Sequence, residues 1–151
     1  MSSLQQHYQL LLGSDPAWKV SDVVVSAKKK QVVILIGHRG GRVTCPECGK
    51  QCTIADHAPA RSWRHLDTMQ FETRLRARVP RSDCPSCGVK TIQVPWASKH
   101  SRFTLMFEAM AADVPKACST VSAATQLLRI NWDTANRMME RAVDRDVKRR
   151  S

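Results

Sequence analysis

The apolar residues change their spacing once along the chain, near residue 98. Upstream they alternate with polar ones or run in short β-branched blocks. Downstream they recur every three to four residues, as on helices. Residues 71–79 give the cleanest strand signal. Phe71, Thr73, Leu75, Ala77 and Val79 fall on one face and Glu72, Arg74, Arg76 and Arg78 on the other. Pro80 is expected to stop this strand. Residues 61–66 supply its predecessor, with Asp67-Thr68 as the turn, so the pair reads as a hairpin. Residues 20–25 and 31–36 read as two more strands, joined around Lys28, Lys29 and Lys30. A short helix over 3–12 places Leu4, Tyr8, Leu11 and Leu12 on one side. Gly13 is set to end it and Asp15-Pro16 to break the chain.

Downstream, residues 95–101 read as a linker. Thr104 caps a helix over 105–114 with Phe107, Met110, Ala111 and Val114 inward, and Pro115 ends or kinks it. Ser119 or Thr120 caps a second helix that buries Val121, Ala124 or Thr125, and Leu128. Arg129-Ile130 makes the turn, with Arg129 where glycine is common. Asn131 then caps a third helix over 132–147. Ala135, Met138, Met139, Ala142 and Val143 face inward there, and Asp133, Asn136, Arg137, Glu140 and Arg141 outward. This is the layout of a helix-turn-helix, whose last helix enters the major groove by its N-terminal turns. Asn136 and Arg137 carry the bidentate options for adenine and guanine. Trp132 either stacks on the sugar-phosphate edge or tucks under the second helix. Asp133 serves the helix dipole or accepts from cytosine, and Arg141 is placed for phosphate. A plain three-helix bundle with a solvated third face is the competing reading.

The cysteines change the picture most. Cys45-Pro46-Glu47-Cys48-Gly49 and Cys84-Pro85-Ser86-Cys87-Gly88 repeat one pattern. Proline presets φ, glycine accepts positive φ, and the turn aims backbone N–H groups at sulfur. Four thiolates in two pairs make the closed shell of one structural Zn2+, with no open position for catalysis. Between Cys48 and Cys84 lie 35 residues, where about 15–20 is usual for this spacing. The hairpin over 61–79, both its ends tied to the same metal, accounts for the excess. Cys52, His57 and His65 are possible substitute ligands, and Cys118 reads as a small core residue.

The expected fold class is therefore α+β. A small zinc-ribbon-like β domain with a short N-terminal helix (1–97) is followed by a three-helix helix-turn-helix domain (98–151). Aromatic residues are few, so neither half is expected to rest on a large aromatic core. The formal charge is +11, and the excess runs through both halves, which favours a polyanionic partner. Arg74, Arg76 and Arg78, with Arg61 and Arg64 nearby, would form a phosphate-contacting face. The longest apolar run, residues 32–36, is far below the ~20 residues of a membrane span. No secretory signal opens the sequence, which points to the cytoplasm, where paired cysteines hold metal more often than they form disulfides.

The order of these pieces resembles the N-terminal region of ISL-three-type insertion-sequence transposases. The likeness runs from Leu10-Leu11-Leu12-Gly13 through Arg61-Ser62-Trp63-Arg64-His65-Leu66-Asp67, Val79-Pro80-Arg81, Val94-Pro95-Trp96-Ala97 and Ser101-Arg102-Phe103-Thr104 to Asn131-Trp132-Asp133-Thr134. The resemblance implies a zinc-binding domain and a helix-turn-helix that recognise terminal inverted repeats in double-stranded DNA, in a prokaryotic, nucleoid-associated protein. Family members continue into an Asp-Asp-Glu catalytic domain that cuts and joins DNA. Phosphoryl transfer by two metals needs clustered carboxylates, and the acidic residues here sit singly, so no catalytic residues and no enzyme activity are expected. Fragment, truncated reading frame and stand-alone relative stay open, as does a homodimer. No membrane or small-molecule partner is expected. The alternatives are a free-standing zinc-containing transcriptional regulator and a zinc-ribbon protein or RNA adaptor.

Overall fold

The computed structural model describes residues 3–11, 15–117, 121–131, 133–135, 137–138, 140–141 and 144. It divides into two compact units, Met1–Thr104 and Leu105–Ser151. Leu12, Gly13, Cys118, Ser119, Thr120, Trp132, Asn136, Met139, Ala142 and Val143 lie outside the described residues, as do the side chains of Leu4, Leu11 and Val121.

The first unit opens with helix α1 (Ser3–Leu11) and then builds two four-stranded sheets from eight strands. Strands β1 (Trp18–Ser26), β2 (Gln31–His38), β5 (Arg61–Thr68) and β6 (Phe71–Ala77) form one sheet, in the order β1-β2-β6-β5. Strands β3 (Arg42–Thr44), β4 (Gln51–His57), β7 (Pro80–Cys84) and β8 (Gly88–Thr91) form the other, in sequence order. The two hairpins foreseen in the sequence both belong to the first sheet. They meet through a parallel pairing of β2 with β6, from Gln31↔Glu72 to Ile36↔Ala77.

The hairpin over 61–79 is therefore not the metal-bearing one, correcting the sequence reading. The knuckles lie on the second sheet. Its strands escape hydropathy because they bury little that is apolar: Val43 on β3, Cys52 on β4, and Pro80 and Cys84 on β7. Nor does Pro80 end the run. It opens β7 opposite His57, a first-strand position where its missing N–H costs no ladder bond.

The alternation on β6 holds: Thr73, Leu75, Ala77 and Val79 are buried and Arg76 and Arg78 exposed. The first sheet packs its apolar face around Trp18, Ile34, Trp63, Leu75 and Trp96. Trp96 meets Trp18 edge-on at 4.8 Å and Trp63 at 5.2 Å between ring centroids. Three of the chain's four tryptophans thus converge in an aromatic core that the composition alone did not suggest, in arrangements each worth about 0.5–1.5 kcal/mol beyond area burial. Residues 94, 96 and 97 are buried with them, so the stretch expected to be a linker is a packed strap. It continues along the edge of β5, where Arg102 O accepts from Arg64 N, Arg64 O accepts from Thr104 N (both 2.8 Å), and Phe103 bridges Arg64.

Helix α1 buries Tyr8, whose hydroxyl bonds that of Thr68. Its Gln9 amide acts as a short substitute strand along β1, donating to Trp18 O at 3.0 Å and accepting from Val20 N at 2.9 Å.

In the second unit α2 (Leu105–Ala117) and α3 (Val121–Leu128) are succeeded by helical residues at 133–135, 137–138, 140–141 and 144. Pro115 lies within α2 rather than ending it. Phe107, Ala111, Ala124, Leu128, Ala135 and Met138 are buried as expected, whereas Met110 is 36% exposed and Glu108 takes its place inside at 1%. Arg129 adopts φ 56°, the left-handed conformation that glycine enters without strain. Ile130 N reaches back to Thr125 O at 3.2 Å, which closes the end of α3. Asn131 caps the helical stretch that begins at residue 133, its Oδ1 accepting from Thr134 N at 2.7 Å. No helix among the described residues is long and apolar enough to cross a membrane.

Candidate metal centre and nucleic-acid interface

Each knuckle is the turn of a hairpin. The first joins β3 to β4 beyond the pair Thr44↔Gln51, and the second joins β7 to β8 at Cys84↔Gly88. Antiparallel pairing of β4 with β7, starting at Thr53↔Asp83, sets the two turns at one end of the ribbon. Gly49 (φ 78°) and Gly88 (φ 81°) take the left-handed conformation that a side chain would resist. In the first turn Gly49 N donates to Cys45 O at 3.0 Å and Cys45 N to Lys50 O at 2.9 Å.

The result is one cluster. The sulfurs of Cys45, Cys48, Cys84 and Cys87 all lie within 4.8 Å of one another, and Cys48 Sγ is 3.5 Å from Cys84 Sγ. A tetrahedron with Zn–S bonds of about 2.3 Å has edges of about 3.8 Å, so the donor set fits one Zn2+. Backbone N–H groups of Cys48 and Glu47 lower the Cys45 thiol, and those of Cys87 and Ser86 bring the Cys84 thiol down to about 6. Cys87 is pushed up to about 12, first by the hydrogen bond it makes to Cys48 and then by burial. Backbone donors thus favour the thiolate form at two of the four sulfurs, and a cation is what lets all four ionise together.

Cys52 is buried beneath this cluster as part of the ribbon's small core, with its Sγ 3.4 Å from Lys50 O. It does not belong to the ligand set, and neither does His57, exposed at the far end of β4. His65 lies in the other sheet, buried, with Nδ1 2.8 Å from Thr104 Oγ1. Burial lowers its pKa to about 4.

The arginines differ in their surroundings. Arg76 on β6 and Arg78 just beyond its end are exposed, and Arg78 Nε donates to Ala58 O at 3.4 Å. Arg74 is ion-paired with Glu72 at 2.8 Å. Arg61 donates to Ser101 O at 2.6 Å and lies over the Trp63 ring, 4.8 Å from its centroid. Arg64 departs from the expected phosphate face. It is 5% exposed, covered by the 102–104 strap, and close to Asp67 (3.5 Å) and Glu72 (3.8 Å).

In the second unit Asp133 and Arg137 are exposed while Thr134, Ala135 and Met138 are buried. Arg137 Nε donates to Asp133 O at 3.4 Å. The remaining named readers, Trp132 and Asn136, lie outside the described residues. Arg141, expected to meet phosphate, has its Nη1 2.8 Å from Oε1 of the buried Glu108. Sequence reasoning missed Glu108, although it falls between Phe107 and Ala111 on the inward stripe, where a carboxylate needs a cation.

Comparison with known proteins matches both regions. Residues 41–87 match the zinc-finger of transposase IS204/IS1001/IS1096/IS1165, a span that contains all four clustered cysteines. Residues 92–143 match the helix-turn-helix domain of transposase family ISL3. Two relatives, each a transposase for insertion sequence element IS1557, come from Mycobacterium tuberculosis strains CDC 1551 / Oshkosh and ATCC 25618 / H37Rv. Both are 37% identical over 98 residues, which is 64% of this chain and 22% of the relative. The chain thus spans about a fifth of the length of these curated relatives. No solved structure matches. Over these two spans the chain is similar, in order, to the zinc-finger and helix-turn-helix modules of ISL3-type insertion-sequence transposases.

Proposed function

We propose that this chain binds double-stranded DNA sequence-specifically, as the part of an insertion-sequence transposase that recognises the terminal inverted repeats. The observation that carries this is the helix begun by the Asn131 cap. It buries Thr134, Ala135 and Met138 and leaves Asp133 and Arg137 exposed in its first two turns, the part of a recognition helix that reaches base edges. In this reading the helix completes a three-helix unit over 98–151, with Trp132, Asp133, Asn136 and Arg137 as the reading set. Residues 1–97 form a zinc-held platform whose Arg76 and Arg78, and less strongly Arg61 and Arg74, contact phosphates. Cys45, Cys48, Cys84 and Cys87 hold the Zn2+, which shapes the platform and takes no part in chemistry. The protein works in the cytoplasm, beside the nucleoid. The family matches favour this reading over a free-standing regulator or an adaptor.

Selection of bound duplexes from a random pool tests it. The expected outcome is an enriched motif that loses preference at one base pair in Arg137→Ala, with non-specific affinity retained. No enrichment would refute specific recognition.

A further inference from the structure

The turn between β5 and β6 is built from unusual residues. Thr68 pairs with Phe71, leaving a two-residue loop of Met69 and Gln70, both at positive φ (49° and 68°). That is the conformation of a type I′ turn, whose two central positions favour Asn-Gly because other residues are strained there. Here the strained tip presents a large apolar side chain to solvent, with Met69 90% exposed.

Beside it lies a second turn. The parallel pairing of β2 with β6 starts at Gln31↔Glu72, and Glu72 N donates to Lys30 O at 2.9 Å, so the β1–β2 turn abuts the β5–β6 turn. That neighbouring turn carries Lys28, Lys29 and Lys30, all exposed. The acidic side chains near this end, Asp67 and Glu72, are paired with Arg64 and Arg74. Behind the tip is an apolar recess of about 290 Å³ lined by Tyr8, Val25, Val32, Thr68, Met69 and Phe71.

We infer that these two turns form a second DNA contact, in which Met69 wedges against a base step in the minor groove while Lys28, Lys29 and Lys30 hold the flanking phosphates. Charge decides the occupant. Three exposed cations around one exposed apolar tip suit a polyanion with apolar crevices between its charges. A duplex offers this in the minor groove, where apolar side chains inserted at a step kink DNA by about 20–90°. The inference rests on the duplex-binding reading above and adds a deformation to it.

The test uses the full zinc-loaded chain and an end-labelled duplex carrying the motif selected by the unaltered protein. Binding is followed by titration across salt and bending by energy transfer between the labelled ends. Met69→Ala should abolish the kink and leave the salt slope unchanged. Changing Lys28, Lys29 and Lys30 to Gln should lower the slope by about 2–3 ion equivalents. Met69→Asn with Gln70→Gly relieves the turn, so it should raise the thermal midpoint while losing the kink, which excludes misfolding as the cause. If the unaltered chain binds no duplex, the functional reading falls and this inference with it. If it binds and every variant bends and binds alike, this inference alone is refuted. If the variants lose affinity for phosphatidylglycerol vesicles and keep full duplex binding and bending, the surface serves a membrane and the inference is again refuted.

Discussion

Replacing Arg141 by Ala separates a structural cation from a DNA-contacting one. The Glu108 side chain is 1% exposed and its Oε1 lies 2.8 Å from Arg141 Nη1, whose own side chain is 44% exposed. Unit charges at that distance attract by about 6 kcal/mol at an effective dielectric of about 20. Desolvation of the carboxylate consumes much of this, and removing one partner of a fully buried pair costs about 3–5 kcal/mol. Arg141 is nearly half in water, so the expected cost of Arg141→Ala is lower, about 2 kcal/mol. For a helical unit of this size that shifts the unfolding midpoint by roughly 15 °C. Glu108→Gln should be tolerated, since it removes the buried charge and leaves a cation at the surface. In the Glu108→Gln background, Arg141→Ala should then cost almost nothing. Urea unfolding followed by helical circular dichroism gives all four corners of this double-mutant cycle. A coupling energy below about 0.5 kcal/mol would refute the reasoning. So would an Arg141→Ala variant of unchanged stability whose duplex affinity and salt slope both fall.

Cys45→Ser or Cys84→Ser should release the zinc and unfold the β3-β4-β7-β8 ribbon while α2 and α3 survive, because binding energy at such a site is folding energy; metal analysis and amide hydrogen exchange along β4 and β7 read the two effects. Trp96→Ala removes the ring between Trp18 and Trp63 and should destabilise the first unit by about 3–5 kcal/mol in denaturant titration. Arg129→Gly relieves a left-handed residue and should stabilise the second unit by about 0.5–1 kcal/mol in thermal unfolding. His65 has a folded pKa of about 4 against 6.5 when free, so the unfolded chain takes up the proton first and stability is lost as pH falls from 6.5 towards 4. The slope should approach about 1.4 kcal/mol per pH unit, and His65→Gln should remove that share of it in acid titration.

The sequence disclosed features that depend on local chemistry. Both knuckles, the Asn131 cap and the odd place of Arg129 were legible because proline, glycine, Asn and paired cysteines each impose a conformation on their own neighbourhood. The alternation on β6 was legible because one face meets a core and the other water. The ribbon strands were not, since β4 and β7 are held by sulfur chemistry and ladder bonds and carry little apolar patterning. Assigning the 61–79 hairpin to the metal rested on its position between the knuckles, but a parallel pairing with β2 cannot be seen from neighbouring residues. Arg64 and Arg141 read as surface cations because pairing with a distant carboxylate, or cover from a strap some 40 residues away, leaves no mark at their own positions. Trp96 looked like part of a linker for the same reason.

The chain crosses between its two sheets three times, with β5 and β6 made after β4 and before β7. During synthesis the first pair of cysteines leaves the ribosome well before the second, at about 5–20 residues per second a delay of several seconds. Over that interval the chain holds half a ligand set and a β2 paired with β1 on one edge only. Completion of Cys84 and Cys87 permits tight metal capture, and by then β6 is already available to β2. A nascent chain interrupted before residue 84 therefore offers no closed thiolate shell, and the site closes only in chains whose strands up to β7 have all been made.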